Sequence, residues 1–557
     1  MFYPTITLLL WALLFSNPSV NPPLPNAPNS SVATAPVVLG DSAVYRQLHE
    51  RLTERRMTLH PEKLYLQLDR TLLRPGESVW FNAYVRNAGD LLPAVGSQVL
   101  HVQLLDPRGS VVQEKNILAL DGTAAGEFDF PAQLPGGQYK LKAWTNWMLN
   151  TGEFFVRDIT LQKVVLPNLN LKLEFERKGL GPGDEALARF DALALDNQPL
   201  AGRPLRFTVQ IGGKEHSAGQ ATTDNAGRAW VRFVLPSDLE TTDGLLNIQI
   251  DHNGQTEAIS RPVPIVLNRV DLQFFPEGGD MVAGIPTRLA FKAVNEFGKP
   301  ADVSGRILDG KGRQVALFES YHNGMGAVDF VPQSGEHYTA RLNRPVGNEQ
   351  SFLLPNIYER GYTLRLIERG AKSLRFEIAG NRPGKVFLTG SSRDKLFFFK
   401  ELDLQQEAVV VEAPVEMLEP GIACFTLFDQ NTHEQAERLV FVNKDRGLQI
   451  EIKTDKDQYL PREKVRLDIR VRDRFGVPLK GAFSLAVVDE KMLSYADDKQ
   501  GHLLASLLLE QDVKGKIEEP NFYFDPKEPK ADQALDYLLM TQGWRRFQWK
   551  AVEPAPF

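Results

Sequence analysis

The chain offers little that could do covalent chemistry, as its single cysteine and nine histidines show. One thiol, Cys424, excludes an intramolecular disulfide and any cysteine-based zinc site. It alternates with Ile422 and Phe425-Thr426 in a strand-like pattern, where a free cysteine serves as a small apolar side chain. The histidines are His49, His60, His101, His216, His252, His322, His337, His433 and His502. No two have the His-Glu-x-x-His spacing that sets two metal ligands on one helical face. His433-Glu434-Gln435 reads as a polar hairpin turn. A Gly-x-Ser-x-Gly nucleophile elbow and a Gly-x-x-x-x-Gly-Lys-Ser/Thr phosphate cradle are both missing from the sequence. Gly324-Met-Gly326 has no helix pattern behind it, so it reads as a hairpin turn rather than a nucleotide loop. Asp455, Asp457 and Glu463 surround a turn that could attract a cation, but Lys453 and Lys456 favour a solvated turn. The expectation is a protein that is not an enzyme, with no catalytic residue, cofactor or metal.

Aromatic residues are the stronger binding candidates. Trp144-Thr-Asn-Trp147 could stack a sugar or peptide, although such a pair more often closes the end of a β core. Trp544, Phe547 and Trp549, beside Arg545 and Arg546, form an amphipathic extended piece that suits packing or docking another chain.

The elements that must hold these residues are β units. At 557 residues the chain exceeds one core, and roughly 150 residues per domain suggests about four. Lys+Arg 64 against Asp+Glu 70 leaves −6, which disfavours a nucleic-acid partner. Hydrophobic residues at 43% and charged residues at 24% fit packed domains rather than wholesale disorder. Residues 1 to 40 carry no charge, and Ile6 to Phe15 is an apolar run of export-signal length, too short to span a bilayer. Ser16 to Gly40 reads as a disordered leader. Asp41 or Ser42 caps a predicted helix over Ala43–Leu59, with Val44, Leu48 and Leu52 on one face, expected to dock on the first β unit.

From Leu64 the period changes to two: Leu64, Leu66 and Leu68 alternate with Tyr65, Gln67 and Asp69. Arg74-Pro75-Gly76-Glu77 then turns the chain into Val79 to Val85. The same grammar recurs at Gly181-Pro182-Gly183-Asp184, at Gly284-Ile285-Pro286 and at Leu460-Pro461-Arg462-Glu463. Gly76 to Gly183 is 107 residues and Gly183 to Gly284 is 101, the size of a β-sandwich module. From Gly284 to Arg462 is 178 residues, room for one further unit. The fold class expected is mostly β: a tandem array of about five immunoglobulin-like sandwiches, with short helices near the amino terminus and in the last unit. The divisions expected are 1–20 signal peptide, 21–59 linker and helix, and sandwiches at 60–163, 164–268, 269–357, 358–447 and 448–557. Within the last, Leu503 to Leu509 looks helical. Ala531, Ala534, Leu535, Leu538 and Leu539 follow i, i+3, i+4, i+7, i+8 spacing as a second helix ending near Gly543.

Leu64 to Val79 resembles the entry to the second macroglobulin (MG2) domain of the α-2-macroglobulin family. Leu479 to Glu490 resembles that family's strand just ahead of its protease bait. Leu538-Leu-Met-Thr-Gln-Gly-Trp-Arg-Arg-Phe547 resembles bacterial envelope proteins in which such domains precede a TonB-dependent plug. The resemblance implies a macroglobulin sandwich array and protein partners: a protease or a component of an outer-membrane transporter. It further implies a place in the periplasm or at the outer membrane, with membrane association through partners only; the acidic charge balance points to no nucleic acid. The family's covalent trap is a Cys-x-Glu-Gln thioester, whereas Cys424 is followed by Phe425, Thr426 and Leu427, so thioester trapping is not expected. Two functions follow from the resemblance. One is an endopeptidase-inhibitor-like role, with the bait placed in Lys491 to Asp532 and cleavage points at Lys499, Lys514 and Lys516. The alternative is a structural or assembly module of a TonB-dependent transport system.

Overall fold

The computed structural model describes residues 6–11, 42–162, 169–177, 180–194, 198–252, 254–265, 267, 269–344, 348, 350–405, 408–460, 462–473, 475–479, 484–489 and 501–544. Among the described residues, four β-sandwiches follow one another and share a topology. Counting main strands in chain order, strands 1, 2 and 5 form one sheet and strands 4, 3, 6 and 7 the other. In unit 2 the sheets are Leu169–Phe175, Glu185–Ala194 and Arg228–Val234, then Lys214–Thr222, Pro204–Ile211, Gly244–His252 and Gln255–Pro262. Unit 1 spans Glu62–Leu68 to Phe155–Leu161, unit 3 Val270–Pro276 to Ser351–Leu353, and unit 4 Tyr362–Arg369 to Glu434–Val442. This is the immunoglobulin-like pattern of two antiparallel sheets closing over their inner faces. Each unit fills its own core, built around Phe128 and Tyr139 in unit 1 and Phe190 in unit 2. Phe291 serves in unit 3 and Phe425 in unit 4.

The repeated turns have a common mechanism. At the Pro-Gly turn the acid closing the motif caps the first residue's N–H: Arg74 N donates to Glu77 at 2.8 Å, Gly181 N to Asp184 at 2.9 Å and Leu460 N to Glu463 at 2.8 Å. The residue before the acid sits at positive φ: Gly76 at 90°, Gly183 at 76° and Arg462 at 68°. Only glycine takes that conformation without steric cost, so Arg462 is the strained copy. Hairpins use a second device. Asp106, Asp224, Asn295, Asp309 and Asp473 each accept the N–H groups two and four residues on.

The helix Ala43–Leu59 starts at Ser42, whose Oγ accepts Tyr45 N at 3.1 Å. It docks on two units rather than one. Leu48 is fully buried against Phe387, Phe399 and Phe428 of unit 4. Its carboxyl end meets unit 1, where Asn150 Nδ2 donates to Leu59 O and His60 stacks on Trp147. Of the apolar amino-terminal run, Ile6–Trp11 is extended and pairs antiparallel with Ser484–Asp489; Ala12 to Asp41 lie outside the described residues.

After unit 4 the pattern breaks. Gln449–Thr454 and Leu467–Arg472 form a two-stranded sheet. Residues 501–544, expected as the helical part of the last unit, place their apolar side chains in clusters shared with units 1, 3 and 4. The reason is the helix Ala531–Thr541, whose face of Ala534, Leu535, Leu538 and Leu539 is at most 2% exposed. A fully apolar face of this kind must be covered, at about 1.5–3 kcal/mol per buried leucine.

Candidate functional site

The candidate site is the seam where the 501–544 segment wedges between three sandwiches. On the unit 1 side, Leu503 to Glu510 is helical, its second half widened to a π turn, and Leu503 and Leu507 pack on Tyr65. Polar contacts hold the same edge. Lys63 Nζ donates to Leu507 O at 2.6 Å and pairs with Asp512 at 2.7 Å. The Gln511 amide imitates a strand: its Oε1 accepts Leu64 N at 3.3 Å and its Nε2 donates to Leu64 O at 3.1 Å. A side-chain amide thereby satisfies the open edge of a sheet.

Units 3 and 4 meet the segment through aromatics and buried charge. Phe522 stacks on His322 with centroids 3.8 Å apart, Tyr537 meets Tyr321 edge-on, and Lys444 Nζ donates to Tyr523 O at 3.0 Å. Between the two sandwiches, Arg438 of unit 4 is 2% exposed. Its Nε donates to Glu277 of unit 3 at 2.8 Å and its Nη2 to Asp536 of the helix at 2.8 Å. Arg369 adds a second donor to Asp536 at 2.5 Å. Glu277 also accepts Leu366 N at 3.1 Å, and Gly278 O accepts Glu437 N at 2.7 Å. A Cβ on Gly278 would stand 2.7 Å from Leu364 O, so glycine is what lets this turn enter the joint.

Burial opposes the charge on Arg438, but Asp536 and Glu277 overcome it and raise its pKa. Burial likewise opposes the Asp536 carboxylate, and Arg438 and Arg369 outweigh it to hold that pKa low. At the unit 1 side the balance goes the other way. Burial pushes Glu510 up to about 7 against the pull of Arg157. Burial drops His502 to about 4. The seam is therefore charge-locked on one side and titratable on the other.

The sequence-derived candidates fall at different places. Lys514 and Lys516 are exposed in a turn between buried Val513 and Ile517, while Leu503 to Leu509 and Tyr523 are packed rather than loop-like. Lys499 lies outside the described residues. Cys424 is half-buried against the wedge, its Sγ 3.6 Å from Thr426 Oγ1. His433 sits in a hairpin where Asp429 accepts its N–H at 3.0 Å. Asp455 accepts Tyr459 Oη at 2.6 Å and Arg466 N at 2.9 Å, and Glu463 pairs with Lys456, so that turn is satisfied by its own chain. Trp144 and Trp147 do not make one platform: Trp144 stacks on His101, Trp147 on His60. Trp544 Nε1 donates to Pro276 O at 3.2 Å, which ties the segment to unit 3; Arg545 to Trp549 lie outside the described residues.

Residues 63–156, which fill unit 1, match the family described as MG2 domain. The chain carries an MG2 domain. No curated protein matches it. Among solved structures, trypsin-activated α-2-macroglobulin from Escherichia coli aligns at 16% identity and TM-score 0.32, covering 75% of this chain and 33% of that one. Salmonella α-2-macroglobulin reacted with methylamine aligns at 15% identity and TM-score 0.34, covering 80% and 34%. The Escherichia coli adhesin FdeC aligns at 14% identity and TM-score 0.23, covering 53% and 96%. The MG2-bearing chain spans about a third of the length of the two macroglobulins. None of its described helices is long and apolar enough to cross a membrane.

Proposed function

We propose that this is a non-enzymatic, exported macroglobulin-domain protein that binds a protein partner in an endopeptidase-inhibitor-like manner, without thioester trapping. One observation carries the reading: the wedge that joins three sandwiches presents its exposed lysines, Lys514 and Lys516, at a turn dividing its two docking halves. A cut there would separate the Leu503 to Glu510 turn, which packs on units 1 and 4, from the helix Ala531–Thr541, which packs on units 3 and 4. Packing of the wedge would then couple proteolysis to the arrangement of the sandwiches. The MG2 domain in unit 1 fits the same reading, and Cys424 is followed by Phe425, Thr426 and Leu427 rather than by a thioester's residues.

Limited digestion with trypsin, followed by mass spectrometry and native electrophoresis, tests it. The expected first cut is after Lys499, Lys514 or Lys516, with protease retained on the cleaved protein. First cleavage elsewhere with no protease retained would contradict it. Capture of an outer-membrane transporter from the native envelope, with no protease retention, would favour the assembly role instead.

A further inference from the structure

A groove of about 180 Å³ runs along the seam between unit 3 and the wedge, away from the buried Arg438 joint. Lys292 and Lys299 come from unit 3, Lys516 from the wedge, and Glu518 is the one carboxylate among the residues lining it. Lys299 takes Glu518 at 2.9 Å. Among the described residues, no carboxylate lies within ion-pair distance of Lys292 or Lys516. Lys292 is half-buried on the strand Thr287–Asn295, where burial lowers its pKa and Glu518 only partly offsets that. The hairpin residue Asn323 also lines the groove, its side-chain amide hydrogen-bonded to Tyr523. The Tyr523 hydroxyl beside it belongs to the same wall.

Lys292 and Lys516 line this partly desolvated space without a carboxylate among the described residues in ion-pair distance, and a half-buried ammonium whose charge is only partly offset is costly. That deficit is met by a group with two or more anionic oxygens. We propose that this groove is a binding site for a small oxyanion, a phosphate or a carboxylate, held by Lys292 and Lys516. Because the lysines come from both sides of the seam, the bound anion staples the wedge to unit 3. Val294, Phe297 and Met325 give the groove an apolar wall that accommodates a short carbon stem next to the anionic head.

Calorimetric titration of the full chain with inorganic phosphate, and separately with acetate, against chloride of equal ionic strength tests the assignment. Saturable binding of phosphate identifies a phosphate site; saturation by acetate alone identifies a carboxylate site. Lys292→Met and, independently, the exposed Lys516→Met should each weaken binding about tenfold, with Lys292→Arg keeping most of it. Thermal unfolding should shift upward with the saturating anion in the parent chain and less in either methionine variant. The assignment is overturned if neither anion saturates, or if binding survives unchanged in both methionine variants.

Discussion

Unit 2 and the strand pair after unit 4 begin with one grammar and reach different ends. In both, an alternating strand, a turn capped by its last acid, and a second alternating strand form an antiparallel pair. Leu173 lies opposite Phe190 in unit 2, and Ile452 opposite Ile469 in the later pair. Leu173 and Phe190 are 1% and 0% exposed because a second sheet covers them. Ile450, Ile452, Ile469 and Val471 share one face of the later pair and remain half-buried. The turn differs in the same sense. Gly183 N donates to Pro236 O across unit 2; among the described residues, Arg462 makes no equivalent bond. Local pattern specifies strands and turns, but burial comes from what the rest of the chain brings over them. Here the next stretch went to three other units.

That contrast yields predictions of decreasing size. Replacing Arg438 with Met would leave Glu277 and Asp536 buried without their cation, a loss of about 3–5 kcal/mol by denaturant unfolding. A change near zero would mean that the joint is solvated. Phe425→Ala, in the filled core of unit 4, should cost about 3–5 kcal/mol, whereas Ile469→Ala should cost under about 1 kcal/mol. Equal losses would erase the distinction between the two regions. Gln511→Ala should cost about 1–3 kcal/mol and speed hydrogen exchange at the Leu64 amide, since that N–H loses its acceptor.

The smallest effect is on pH. Glu510 has a folded pKa of about 7, above its ordinary 4.5, so the fold favours its protonated form. The stability this confers is complete below the unfolded pKa and lost as pH rises through about 7. Glu510→Gln should therefore gain on the parent between about pH 5 and about pH 8 in thermal unfolding. A gain that shrinks over that range would contradict the burial of this carboxyl.

Much of the fold was legible in the residues. The Pro-Gly turns at Gly76 and Gly183 mark units because few other sequences meet a positive φ there. Ala531 to Thr541 announced its helix by spacing alone. The destination of that helix was not legible, since an apolar face says that it is covered and not by what. Nor was the Arg438 joint. Glu277 sits in a glycine turn and Arg438 in an alternating strand, and both read as solvent-facing until three distant segments meet. The helix Ala43–Leu59 was placed on unit 1 for the same reason: Leu48 gives no hint that its partners are phenylalanines of unit 4. Trp144 and Trp147, three apart, looked like one surface, yet strand and helical turn aim them at different histidines.

Hydrogen exchange read by mass spectrometry on the intact chain tests the central claim most directly, because it reports protection segment by segment. If the wedge is a structural keystone, amides in Ala534 to Thr541 will exchange as slowly as those in Gly421–Asp429 of unit 4. Gln449–Thr454 and Leu467–Arg472 will then exchange far faster. Rapid exchange throughout 531–541, with protection in 449–472, would show that the helix does not hold the sandwiches together.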